Sequence, residues 1–193
     1  MRICRYLQGT RDEVLLYLPD KSKLSLDCFV DADFCGLWNV EDANDPISAK
    51  SRTGYVVLLA NCPILWVSKL QSLIALSTLE SEYISLSTSL RDLIPLRAIL
   101  KELDGYFKFE KDIGCNTHST VYEDNNGALR LATVQQLTPR TKHINVIYHW
   151  FHSYVGKVLK IIKVESEKQK ADIFTKSLDA QTFKKIRLLL CGW

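Results

Sequence analysis

Three short apolar runs follow one another early in this chain and a long helical pattern comes after them, an order that restricts the fold more than any single motif. Residues 24–31 alternate apolar and polar side chains, and 53–59 and 64–68, separated by Asn61-Cys62-Pro63, read as a hairpin. From Ser77 onward Tyr83, Leu86, Leu90, Leu93, Leu96 and Leu100 recur at helical spacing. Pro95 is expected to kink that helix, which should end near Asp104-Gly105. A fourth strand at 119–123 feeds a short helix after Asp124-Asn125-Asn126. A helix over about 141–155, a strand at 159–164 and helices from about Lys170 and Gln181 complete the pattern. A short helical piece at 2–8 and a turn at Pro19-Asp20-Lys21-Ser22 come first. Three consecutive strands followed by alternating helix and strand predict an α/β fold, a mixed sheet flanked by helices, with its useful crevice at the carboxyl ends of the strands.

Four acids stand where such a crevice would form. Asp31 closes the first strand, Glu82 lies in the opening turns of the long helix, Asp124 follows the fourth strand, and Asp172 begins a short amphipathic segment. Like charges gathered in one place repel unless cations join them, and hard divalent ions take oxygen ligands from one or two carboxylates each. A convergent quartet therefore points to metal-dependent chemistry, of which phosphodiester cleavage by two ions is the leading example. Glu80 has a simpler role: with Ser77 it forms a Ser-x-x-Glu box that caps the start of the helix.

The remaining composition excludes rivals. The 193 residues suit one domain with an ordinary core. No run of 18 uncharged apolar residues occurs, so no membrane span is expected and the chain reads as intracellular. The six cysteines form no Cys-x-x-Cys pair, which disfavours zinc and a disulfide scaffold. The eight glycines form neither a dinucleotide fingerprint nor a Walker loop. Charge is uneven: residues 1–124 hold 13 Lys and Arg against 18 Asp and Glu, a balance of −5, while 125–193 hold 12 against 4, a balance of +8. A C-terminal face carrying Lys168, Lys170 and Lys176 could follow a phosphate backbone.

Seven blocks carry a resemblance. They are Phe29-Val30-Asp31-Ala32-Asp33, Ser51-Arg52-Thr53-Gly54-Tyr55-Val56, Trp66-x-Ser68-Lys69-x-Gln71, Ala75-Leu76-Ser77-Thr78-x-Glu80-Ser81-Glu82-Tyr83, Asp124-Asn125-Asn126-Gly127-Ala128, Arg140-Thr141-Lys142-His143-Ile144 and Ala171-Asp172-Ile173-Phe174-Thr175-Lys176. In this order they resemble the ribonuclease H domain of copia-type retrotransposon Pol polyproteins, over about residues 24–190. Residues 1–23 resemble the end of the segment that connects it to the reverse transcriptase. The resemblance implies a five-stranded ribonuclease H-like fold and cleavage of the RNA strand of an RNA–DNA hybrid with two magnesium or manganese ions. Asp31 would bridge both ions, Glu82 would ligate one, Asp124 would hold the nucleophile side and Asp172 would complete the other site. His143 would handle a proton or assist product release. Asn125, Asn126, Lys142, Lys168, Lys170 and Lys176 would meet the nucleic acid. The reverse transcriptase and integrase parts of the same polyprotein are the further partners implied, and the cytoplasm, inside a virus-like particle, and the nucleus are the places.

Asp33 shares strand parity with Asp31, and Glu80 sits two residues from Glu82, so each is an alternative ligand; Asp31 and Glu82 are preferred. His149 and His152 stand at i and i+3, but Tyr148, Trp150 and Phe151 beside them suggest packing rather than metal. A strand-transfer domain of the integrase type would need a glutamate about three dozen residues after Asp124, where none stands; Glu165 and Glu167 come later. The more serious rival is a truncated remnant that binds nucleic acid without cutting it.

Overall fold

The computed structural model describes residues 2–20, 24–38, 44–108, 119–134 and 148–193. His143 and Lys142, and the Arg140–Ile144 block around them, lie outside the described residues. Five strands form one sheet: β1 (Leu26–Asp33), β2 (Arg52–Leu59), β3 (Cys62–Leu70), β4 (Ser119–Glu123) and β5 (Leu159–Lys163), ordered β3-β2-β1-β4-β5. The first three pair antiparallel, and β1–β4 and β4–β5 pair parallel. The mixed five-stranded sheet expected from the element order is therefore present. Four α-helices accompany it among the described residues: α1 (Arg2–Gly9), α2 (Thr78–Phe107), α3 (Asn126–Thr133) and α4 (Ala180–Cys191).

The central strand is buried on both faces, because its even and odd positions meet different layers. Cys28 and Val30 join Tyr55, Val57, Leu86, Leu90 and Leu93 under α2. Phe29 joins Val56, Leu58, Ala171, Ile186 and Leu190 under α4 and the 3-10 turn Lys170–Phe174. Ser81, Ser85 and Ser89 recur every fourth residue on the sheet-facing side of α2 and are fully buried. The first two belong to a polar seam: Ser85 Oγ donates to Thr53 Oγ1 at 2.8 Å, and Gln71 Nε2 donates to Thr53 Oγ1 at 3.1 Å and to the Ser81 carbonyl at 2.9 Å. This seam ties β2 and the end of β3 to the first turns of α2, and it accounts for Thr53, Gln71 and Ser81 in the sequence blocks. No helix among the described residues is long and apolar enough to cross a membrane.

Several elements differ from expectation. The hairpin turn is Ala60-Asn61, both with positive φ, and Cys62 and Pro63 belong to β3. A bulge between Val57 and Leu58 absorbs the register change beside Pro63, which has no N–H to give the ladder. α2 carries Pro95 and Gly105 inside it and stops at Lys108, whose αL backbone lets its N–H reach the Asp104 carbonyl. The described end of the 141–155 segment is a 3-10 turn, Trp150–Ser153, not an α-helix. There the Tyr154 carbonyl collects the N–H groups of Lys157, Val158 and Leu159 and Gly156 takes φ 78°, which turns the chain into β5. Tyr6 rests edge-on against Phe183, with ring centres 5.8 Å apart, so α1 lies on α4.

Gly54 pairs with Asp31 across β1–β2, and a Cβ added there would lie 2.4 Å from Thr175 Cγ2 and 2.9 Å from Phe174 Cβ. Gly54→Ala should therefore cost about 1–3 kcal/mol in urea unfolding, the usual overpacking range, by pushing residues 174–175 off the sheet. A variant as stable as the parent would show that this segment shifts freely.

Candidate active site

Two parallel strands finish at the same end of the sheet, which puts Asp31 and Asp124 together. Asp31 is fully buried near the end of β1, and Asp124 is the first residue beyond β4. Glu82, 4% exposed, reaches the same point from the second turn of α2. Ser77 fixes where that helix begins, its hydroxyl accepting the Glu80 N–H at 3.2 Å. One carboxylate oxygen from each of Asp31, Glu82 and Asp124 lies within 4.8 Å of the others.

Neither alternative read from the sequence belongs to this three-acid group. Glu80 accepts the Leu76 N–H at 2.7 Å, one residue before the expected cap partner. The Asp33 carboxylate lies over Gly36, against the place a Cβ would take. Asp172 is not in the three-acid cluster but is joined to it through Lys176. Lys176 Nζ donates to Asp31 Oδ1 at 2.9 Å and to Asp172 Oδ1 at 2.9 Å. The Thr175 hydroxyl donates to the other oxygen of Asp31.

Sequence reasoning passed over Glu123. It is fully buried; its Oε1 accepts the Asn125 N–H at 3.0 Å while its Oε2 has no hydrogen-bond partner, as is also true of Glu82 Oε2. A signal was present, because Glu123 shares strand parity with the core residue Val121 and so points under α2. Burial raises the pKa of Glu82 and that of Glu123 well above the carboxylate range, and the charge of Glu123 raises Glu82 further. Burial pushes Asp31 up to about 6, against the pull of Lys176 and Thr175. Acids so placed hold protons or need cations, and an orphaned oxygen on Glu82 beside Asp31 and Asp124 fits a divalent ion that takes oxygen ligands.

The other candidates are placed as follows. The Asn125 side-chain oxygen caps α3, accepting from Gly127 N at 2.8 Å and Ala128 N at 3.0 Å. Asn126 is exposed. Lys168 is exposed and paired with Glu165 at 2.7 Å. Lys170 lies 5.0 Å above the Phe29 ring and donates to Asn61 Oδ1 at 3.1 Å, at the hairpin end of the sheet away from the carboxylates. His149 Nδ1 and His152 Nε2 stand 2.8 and 2.7 Å from the Tyr83 hydroxyl. One hydroxyl proton serves only one of them, so the other ring donates to the tyrosine oxygen.

No family model matches the chain. It is 34% identical over 183 residues to the retrovirus-related Pol polyprotein from transposon TNT 1-94 of Nicotiana tabacum, covering 94% of this chain and 12% of that protein. It is 33% identical over 184 residues to the Pol polyprotein from transposon RE2 of Arabidopsis thaliana, covering 95% of the chain and again 12% of the relative. The chain is homologous to one segment of retrotransposon Pol polyproteins. It spans about an eighth of the length of these relatives. Among solved structures, the N-terminal ribonuclease H domain of a Mycobacterium tuberculosis protein, fused to maltose-binding protein, superposes with a TM-score of 0.50 at 12% identity, over 85% of this chain and 96% of that one. The fold of this chain is thus ribonuclease H-like, as the seven blocks implied.

The raised acids set a pH dependence. The folded chain keeps the Asp31 proton up to about 6, whereas an unfolded carboxylate loses it near about 4, so the ion-free protein loses stability as pH rises through that window. A divalent ion held by these carboxylates, tested as magnesium or manganese, would replace those protons. The rise in melting temperature on adding either ion should be larger at about pH 7.5 than at about pH 5 and should shrink in Glu82→Gln; an equal rise at both pH values would contradict the assignment.

Proposed function

We propose that this chain is a metal-dependent ribonuclease H that hydrolyses the RNA strand of RNA–DNA hybrids during retrotransposon reverse transcription. The observation that carries the reading is the convergence of Asp31, Glu82 and Asp124 from two strand ends and a helix start, on a ribonuclease H-like fold. Two divalent ions, magnesium or manganese, would be held there, with Asp31 shared, Glu82 and Asp124 on one side and Asp172 on the other. When bound they activate water and stabilise the leaving oxygen of the phosphodiester.

The chain's own residues bind and orient. Thr175 and Lys176 fix the Asp31 carboxylate from both oxygens, so its direction is set before substrate arrives. Asn126 and the side-chain NH2 of Asn125 stand at the start of α3 beside Asp124, suited to contacts with the 2′-hydroxyl or sugar edge that distinguish RNA from DNA. Lys168 and Lys142 would follow phosphates, and His143 would handle the proton of the leaving group. Lys170, committed to Asn61 and Phe29, is better read as a structural cation. Residues 24–193 form the nuclease and 1–23 the end of the connection to a reverse transcriptase, which with the integrase of the same polyprotein would be its protein partners. The relatives' place in retrotransposon Pol polyproteins supports action in the cytoplasm, inside a virus-like particle, and in the nucleus.

The test is cleavage of a labelled RNA–DNA hybrid by the purified chain with magnesium, with manganese and with chelator, beside a duplex-DNA control. Asp124→Asn should cut at least a hundredfold more slowly with its folding intact. Glu80→Ala should lose about 1 kcal/mol of stability, a typical cost for a lost helix-start contact, and keep its activity. Near-parent cleavage by Asp124→Asn would defeat the proposal. Salt-sensitive hybrid binding without cleavage by the parent would identify a binding remnant instead.

A further inference from the structure

Six carboxylates, those of Asp31, Asp33, Glu82, Glu123, Asp124 and Asp172, stand around the ends of β1 and β4, and Lys176 is a cation whose field reaches Asp31, Asp33, Glu82 and Glu123. Its ammonium lies 2.9 Å from Asp31 Oδ1 and 2.9 Å from Asp172 Oδ1, and among the described residues it makes no ion pair with Glu82 or Asp124. We infer that Lys176 holds the Asp31–Asp172 half of the site closed to a divalent ion while the Asp31–Glu82–Asp124 half stays open.

A protonated lysine carries three donors on one compact charge, and two of them are spent on these carboxylates. The ammonium and a divalent ion therefore compete for the same pair of oxygens and the same space between them. The other half contrasts with this: neutral hydroxyls of Thr175 and Ser166 donate to Asp31 and Asp124, no cation pairs with Glu82 or Asp124 among the described residues, and Glu82 Oε2 is buried without a partner. The lysine is held in place locally: the Lys176 N–H donates to the Asp172 carbonyl at 2.9 Å, and Thr175 before it donates to Asp31. Asp31 is fully buried, yet the Lys176 side chain keeps 38% of its surface exposed, so the ammonium can leave without opening the core. A phosphate arriving at that surface offers it another anionic partner.

This inference rests on the metal-dependent reading above, and ion counting in the absence of nucleic acid separates the two. Manganese titration of the full chain, followed by calorimetry and by the spin-resonance signal of free manganese, should give the parent one site and a second at least tenfold weaker. Lys176→Met and Lys176→Gln should each tighten the second site at least tenfold, and Lys176→Arg should keep the parent's pattern, because the positive charge is retained. Melting curves without metal check that the variants are folded. Two sites of similar affinity in the parent, or an unchanged second site in the neutral variants, overturn the role of Lys176. No manganese bound by any form overturns the metal reading itself.

Discussion

The site depends on one pairing, the parallel alignment of β1 with β4. Parallel strands present their carboxyl ends at the same edge, so an acid near the end of each is brought together by the sheet rather than by a loop. The antiparallel β1–β2–β3 half then sets the ladder on the other side of β1, and α2 starts from the same edge because β3 ends there. Glu82 comes into range for that reason. Burial of β1 on both faces makes the arrangement rigid, and it also explains why the pKa of Asp31 stands above that of an ordinary carboxylate.

Two kinds of polar group are buried near this edge, and they serve opposite ends. Gln71, Thr53, Ser81 and Ser85 satisfy one another and locate α2 on the sheet. Glu82 and Glu123 each keep an oxygen without a partner. Buried polar groups left unsatisfied cost about 1–3 kcal/mol each, so the second pair is a local weakness that the first network helps the fold to tolerate. A stable seam beside an unstable cluster is the arrangement expected where binding, rather than folding, supplies the missing partner.

Much of this was legible in the sequence, for physical reasons. Alternation marked β1, β2 and β4, and the Ser77 box marked the start of α2, so three of the acids could be placed on element ends before any geometry was known. What escaped reading depended on distance across the fold. Glu123 looked like the end of a strand next to a more conspicuous aspartate, although its parity with Val121 pointed it inward. Lys176 was counted with a basic surface, because its partner Asp31 is 145 residues away and only Asp172, four residues before it, is local. The contacts of Lys170 were hidden in the same way, since Asn61 is supplied by the hairpin turn and Phe29 by β1. The hairpin turn was misplaced because proline and cysteine look like turn residues, whereas the bulge that accommodates Pro63 in a strand is set by its neighbour β2.

Gly54 links the two ends of the chain in a way that substitution patterns should record. Its missing side chain makes the room in which Thr175 lies, and the Thr175 hydroxyl is spent on Asp31, which is the residue opposite Gly54. The three positions therefore form a closed loop of dependence. A larger residue at 54 demands a smaller one at 175, a smaller one at 175 deprives Asp31 of a donor, and no single replacement restores all three. Drift at any one of them is blocked by the other two, so 31, 54 and 175 should stay fixed together for as long as the chain is selected for what Asp31 does.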